Sequence, residues 1–208
     1  DTYDIHNRAK TSTIRSYTDS SFPTFKDEMQ VVNYSSYDKF GNVKIQTIDT
    51  YTSLNIDPKK QVDHKLIENT YTTLVAQRRG NADKSVVTRS LSEGGELIDR
   101  STTVTDLFTD FGFAVDQTVT SEVYDSGAFV KTEERVIHNS DIDNRGDSAT
   151  QTIKSSITDD NGATYDLVNY QVLTNRKFDS GHNIENQMIL TYDTDIVSTQ
   201  KLLDCQEV

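Results

Sequence analysis

Tryptophan is absent from this chain, and cysteine and proline nearly so: Cys205 stands alone, and Pro23 and Pro58 are the only prolines. A single cysteine excludes an intrachain disulfide and leaves a free thiol near the chain end or a bridge to another molecule. With so few prolines, little interrupts strand formation. Positive charge is also scarce: 21 Lys and Arg against 33 Asp and Glu give a net charge of −12. Nucleic acid requires a basic footprint that such a chain lacks, and an anionic membrane would repel it. The acidic surface instead keeps a strand-rich protein from associating indiscriminately. No apolar run approaches membrane-spanning length, so membrane insertion is not expected. Hydrophobic residues make up 34% of the chain, too many for disorder and too few for one thick core. A thin or extended β structure fits that balance. The sequence starts at Asp1 without an initiator Met or a signal peptide, so a processed chain or a piece of a larger one is expected.

What the chain does have is turn signals at a nearly constant interval. The clearest is Tyr37-Asp38-Lys39-Phe40-Gly41-Asn42, and glycines with Asp or Asn nearby follow at Gly80, Gly95, Gly112, Gly127, Gly146, Gly162 and Gly181, spaced by 15 to 19 residues. A fixed period marks a repeat architecture. Glycine takes positive φ at no steric cost, and a neighbouring Asp or Asn bonds its own backbone, so each signal has a mechanical reason. Asn161-Gly162 is the strongest short hairpin signal. Between the turns lie runs rich in Val, Ile, Thr, Tyr and Phe with period-two alternation. Phe113, Val115, Val119 and Val123 share one face, and Asp116, Thr118, Thr120 and Glu122 the other. Helical spacing is hinted at only from Pro58 to Leu66, which is short and charged and reads as a loop or one turn. Tight turns between consecutive strands require antiparallel pairing. The expected fold is all-β, a long-stranded antiparallel meander whose sheet is open or closed. Residues 1–33 are expected to be irregular or extended, with Phe22-Pro23-Thr24-Phe25 as an approach or edge segment. Residues 34–208 form the repetitive meander, with an exposed loop near 55–65.

The run Tyr37-Asp38-Lys39-Phe40-Gly41-Asn42-Val43 resembles the YD repeat of Rhs-type proteins, whose core is Tyr-Asp, two residues, Gly, then a strand. Asn33-Tyr34-Ser35-Ser36 and Glu68-Asn69-Thr70-Tyr71 resemble the flanking elements. Tyr3-Asp4 with Asn7-Arg8 is a weaker copy with Asn7 at the Gly position. Tyr124-Asp125-Ser126-Gly127 and Phe178-Asp179-Ser180-Gly181 are one residue short between Asp and Gly, and Tyr192-Asp193 lacks the Gly. The resemblance implies a segment of a hollow β shell of the kind that encloses a toxin domain in secreted proteins, or a related cell-surface repeat. It brings no catalytic residues. It implies a secreted or surface location, in a bacterium.

Other sites weigh less. His6, His64, His138 and His182 show no ligand spacing to one another or to Cys205. Asp141-Ile142-Asp143-Asn144-Arg145-Gly146-Asp147 resembles a calcium loop, but an EF-hand needs an oxygen ligand where Arg145 stands and an acid where Thr152 stands. A looser Ca²⁺ site from Asp141, Asp143 and Asp147 remains the one cofactor candidate, against a plain polar hairpin turn. No nucleophile motif or phosphate-cradling loop is present, and the pairs Glu133-Glu134 and Asp159-Asp160 point to opposite faces of a strand. Tyrosines such as Tyr34, Tyr37, Tyr51, Tyr165 and Tyr170 read first as cross-strand packing. The expected function is therefore structural rather than enzymatic, a scaffolding or encapsulating wall. The repeat-defining residues are Tyr37, Asp38, Gly41, Asn42, Gly112, Asp125, Gly127, Gly146, Gly162 and Gly181. An adhesin or fibre subunit that assembles by edge-strand pairing, and a Ca²⁺-dependent glycan- or ligand-binding module, are the alternatives. Partners are the rest of a larger chain or copies of this one.

Overall fold

The computed structural model describes residues 3–16, 28–52, 56, 58–195 and 201–208. Among the described residues twelve strands make one open sheet in unbroken chain order. They are β1 (Thr11–Ser16), β2 (Glu28–Tyr37), β3 (Val43–Tyr51), β4 (Gln61–Thr70), β5 (Lys84–Ser90) and β6 (Leu97–Phe108). There follow β7 (Ala114–Asp125), β8 (Ala128–Ile142), β9 (Ser148–Ile157), β10 (Asp166–Phe178), β11 (Ile184–Tyr192) and β12 (Leu202–Glu207). Every neighbour pair is antiparallel, as short connections demand.

The strands form because β-branched residues suit a pleated surface whose two faces are both half-buried. In β6, Thr102, Thr103, Val104 and Thr105 meet Thr120, Val119, Thr118 and Gln117 of β7. Face assignment follows the alternation: Val119 opposes Arg135 and Val123 opposes Val130, while Thr118 opposes Val136 and Glu122 opposes Lys131. A single layer cannot bury much. Met29, Val31 and Tyr51 form the buried hydrophobic cluster, and among the described residues no large side chain is fully buried. Beside it, Asp49 accepts from Gln61 Nε2 at 2.7 Å and pairs with His64 Nδ1 at 2.6 Å. Backbone ladders and cross-strand pairs thus hold the sheet, each pair contributing roughly 0.2–1 kcal/mol.

Three expectations are corrected. Within the irregular or extended segment 1–33, Thr11–Ser16 is extended as β1, but residues 28–33 already belong to β2, so the boundary expected after residue 33 falls inside a strand. Adjacent Val31 and Val32 are both buried, which blurs the period-two signal there. The segment Phe22-Pro23-Thr24-Phe25 lies outside the described residues. The loop near 55–65 is shorter than expected, because Pro58–Lys60 is a single 3-10 turn and β4 starts at Gln61. Buried His64 at a strand position hid that alternation. Finally, a helix α1 (Leu74–Arg79) lies between β4 and β5. Its six residues are fixed by caps rather than apolar spacing: Thr73 accepts from the Ala76 N–H, and Gly80 closes the end at φ 77°.

Candidate functional site

In an antiparallel meander, alternate connections fall at the same end of the sheet. One end, here the Gly41 end, carries the connections 4–8, 38–42, 71–83, 109–113, 143–147 and 179–183. Five of these six share one geometry. The first residue's N–H donates to the fifth residue's carbonyl: Asp4 to Arg8 at 2.8 Å, Asp38 to Asn42 at 2.9 Å, Thr109 to Phe113 at 2.8 Å, Asp143 to Asp147 at 3.0 Å, Asp179 to Asn183 at 3.0 Å. The fourth residue's N–H returns to the first carbonyl, and that residue sits at positive φ: Asn7 60°, Gly41 91°, Gly112 88°, Gly146 96°, His182 66°. Gly, Asn and His there are residues that visit this region most readily.

The first side chain caps the turn. Asp38 Oδ1 accepts from the N–H groups of Phe40 (2.8 Å) and Asn42 (2.9 Å), and Asp143 Oδ1 from Arg145 (2.8 Å) and Asp147 (3.0 Å). Asp4 and Asp179 repeat the pattern, and Thr109 Oγ1 accepts from Phe113 at 3.1 Å. The carboxyls are correspondingly acidic. The Arg8 side chain holds Asp4 down to about 2, and the Asp147 N–H leads the lowering of Asp143. Asn183 does the same for Asp179, through its side chain first. At Asp38 burial pushes upward, but the donors of Asn42, Phe40 and Gly41 together outweigh it.

First residues 4, 38, 109, 143 and 179 are separated by 34, 71, 34 and 36, so the true period is near 35 residues, with α1 occupying the one missing place. The residue before each turn is apolar: Tyr3, Tyr37, Phe108, Ile142 and Phe178.

Each turn also grips the next. Arg8 Nη1 donates to the Asp38 carbonyl at 3.3 Å, and Asn42 Nδ2 to Gln77 in α1 at 2.6 Å. Asn81 Nδ2 reaches the Gly112 carbonyl at 2.7 Å, and the Phe113 ring lies over Gly146, where an added Cβ would come within 2.6 Å of it. Arg145 Nη2 donates to the Asp179 carbonyl at 2.7 Å, and His182 Nδ1 pairs with Asp147 at 2.8 Å. A second link repeats too. The Tyr37 hydroxyl donates to the Ala9 carbonyl, just past the first turn, and the Tyr71 hydroxyl to Val43, just past the second, at 3.1 Å. Arg8 stacks 4.5 Å above the Tyr37 ring.

Beneath this row one face holds a groove of about 660 Å³ floored by amides and hydroxyls. Those amides mostly bond within the protein: Gln117 Nε2 to Thr105 at 3.1 Å, Gln151 Nε2 to Asn139 at 2.7 Å, Asn139 Nδ2 to the Ala114 carbonyl at 3.1 Å. Arg176 donates to the Ser148 carbonyl at 3.1 Å, stacks 5.0 Å from Phe178, and has its pKa lowered by burial.

The remaining sequence-marked residues lie elsewhere. Asp125 and Gly127 belong to the opposite end, where Ser126 (φ 49°) and Gly127 (φ 92°) form a two-residue hairpin. Gly162 is at that end too, inside the wider connection 158–165 rather than a tight hairpin. Gly181 is in the last turn of the row, but His182 takes the positive φ, so that turn is full length rather than one residue short. Asp141, Asp143 and Asp147 are not gathered into a metal-binding group; among the described residues no group of three or more His, Cys, Asp or Glu could hold a metal ion. Asp141 lies in β8 with φ 52°, Asp143 caps its turn, and Asp147 is held by Arg145 at 2.9 Å and by His182. Sequence reasoning missed Arg8, Asn81, Phe113, Arg145 and His182, which link the turns. A search at double the turn spacing, accepting Asn or His for Gly, would have found most of them. No family model matches this chain, and comparison with curated proteins and with solved structures finds no significant match.

Proposed function

We propose that this chain is a structural protein of the YD-repeat kind, a section of wall in a secreted or cell-surface bacterial protein. The observation that carries the reading is the row of five like turns at the Gly41 end, four opened by Asp and one by Thr109, each fastened to its neighbour. Such a row repeats one unit to stiffen a broad sheet, and its polar atoms are spent on its own backbone. Twelve strands at about 4.8 Å spacing span roughly 55 Å. Closed on itself with strands tilted about 35–45°, the sheet gives a cylinder of only about 22–26 Å diameter between backbones, too narrow for a protein cargo once side chains enter it. A wall therefore needs more strands, from a longer chain or from copies of this one.

The test is the mass of the native source material in native and denaturing conditions. A denatured mass far above 23.5 kDa is expected for a section of a long wall. A mass near 23.5 kDa in both conditions would overturn it in favour of a stand-alone binding module. A fibre subunit is the second reading, favoured by the exposure of β1 and β12 at the two sheet edges. It predicts a denatured mass near 23.5 kDa with a very large native assembly.

A further inference from the structure

We infer that the two edges of the sheet bind each other between copies of this chain, the β12 edge of one copy against the β1 edge of the next. The inference rests on the fibre-subunit reading above and names the partner and its polarity. Among the described residues each edge strand is paired on one side only, so a row of N–H and C=O groups faces outward. Neither edge strand contains proline, and each offers an apolar side chain to a partner: Ile14 is 52% exposed and Leu203 61%.

Charge selects which edges meet. Arg15 is the only charged residue of β1, and Asp204 and Glu207 are the only ones of β12. Two β1 edges repel, two β12 edges repel, and the unlike pair attracts. Direction agrees. β1 runs away from the Gly41 end and β12 runs toward it, so the unlike edges lie antiparallel with both copies facing the same way, as every internal pair does.

The row of turns supplies the register. Asn42 Nδ2 holds its own Asp38 at 2.9 Å and also reaches the next unit's backbone at 2.6 Å. Asn183 Nδ2 holds its own Asp179 in the same way at 2.9 Å, at the last turn of the row. The turn 4–8 of a second copy falls in the next place, its Asp4 carbonyl presented to Asn183 as Asp38's is to Arg8. Tyr3, 55% exposed, occupies the place of Tyr37 and Tyr71, whose hydroxyls bond the carbonyl just past the preceding turn. The matching acceptor is the Ile184 carbonyl. It lies past the Val208–Gln187 pair, bonded at 2.9 Å in both directions, which is the last pairing described between β12 and β11. Such a contact is heterologous, so it propagates into filaments or rings rather than stopping at a dimer.

Sedimentation velocity of the purified 208-residue chain over about 1–100 µM, at low and high salt, tests this. Species beyond a dimer are expected to grow with concentration and to shrink with salt. Arg15→Glu alone, and Asp204→Lys with Glu207→Lys alone, are each expected to stay monomeric, while an equimolar mixture of the two assembles. Tyr3→Phe, which removes one hydroxyl, is expected to weaken assembly about fivefold with circular dichroism unchanged. Wild-type chain that stays monomeric at every concentration, or Arg15→Glu that assembles as wild type does, overturns the inference. So does a closed dimer indifferent to these changes. The fibre-subunit reading is judged on the native and denatured masses of source material, so either can fail while the other stands.

Discussion

Gly41 and Gly146 hold the same place in two turns of the row, with φ of 91° and 96°, yet replacing them by alanine should have unequal costs. Any L side chain in the left-handed region loses about 1–2 kcal/mol. At Gly41 nothing lies within 4 Å of the new Cβ, so Gly41→Ala should stop at that figure. At Gly146 the Cβ would stand 2.6 Å from Phe113 Cε1 and 2.7 Å from Cδ1, so the ring must move. Overpacking of this kind costs about 1–3 kcal/mol more. Gly146→Ala should therefore lose about 2–5 kcal/mol in all. Urea unfolding followed by circular dichroism reads both losses, and in a thermal melt each kcal/mol is worth about 2–4 °C in a chain of this size. Phe113→Ala then separates the causes. Combined with Gly146→Ala it should return most of the overpacking and be non-additive by about 1 kcal/mol or more, while with Gly41→Ala the losses should add. Equal losses for the two glycines, or additivity of Phe113→Ala with Gly146→Ala, would refute the turn-to-turn contact.

Arg100 donates to both Glu122 oxygens, at 2.5 and 2.8 Å, and covers the Phe129 ring at 4.3 Å, while Glu122 is 7% exposed. Arg100→Ala strands that carboxylate and should lose about 3 kcal/mol by urea unfolding, whereas Arg100→Met with Glu122→Leu should be near neutral; a small loss for the single variant would discount the pair. The turn carboxyls set the response to acid. Asp4 and Asp160 are lowered from 3.8 to about 2, so their contribution is fully present above the unfolded value and is lost as pH falls from 3.8 through 2. The urea midpoint should drop across that window, and a flat profile would contradict the capping role. Asp143 and Asp147 are already engaged, so millimolar Ca²⁺ should leave the melting temperature unchanged; a rise abolished by Asp141→Ala with Asp143→Ala would revive a calcium site.

The meander was legible because each strand repeats with period two and each turn needs residues that bend the backbone. Ser126-Gly127 and Asn161-Gly162 show where that legibility ends. Both dipeptides reach positive φ, yet one closes a two-residue hairpin and the other sits within 158–165, where Thr158 and Asp160 hold a wider loop with their own side chains. Glycine also misled at Gly181, because His182 beside it takes the left-handed place, an option that spacing counts by glycine cannot see. The site was less legible than the fold. Arg8, Asn81 and Arg145 act on a neighbour 30, 31 and 34 residues away, so their role exists only once the strands between are folded. Asp143 and Asp147 carried the right atoms for calcium, but backbone amides and an arginine claimed them first.

The two ends of the sheet differ in what they permit to change. At the Gly41 end, five turns keep one length because each must meet the next. At the other end the connections 91–96, 126–127 and 158–165 follow no common length. One residue inserted at 38–42 would carry Asn42 out of reach of Gln77 and disturb the helix beyond it. A foreign peptide inserted at 126–127 leaves every such link in place, for nothing lies within 4 Å of a Cβ at Gly127. Sequence drift, and deliberate loop grafting, should therefore accumulate along one margin of this protein, while the other keeps its count.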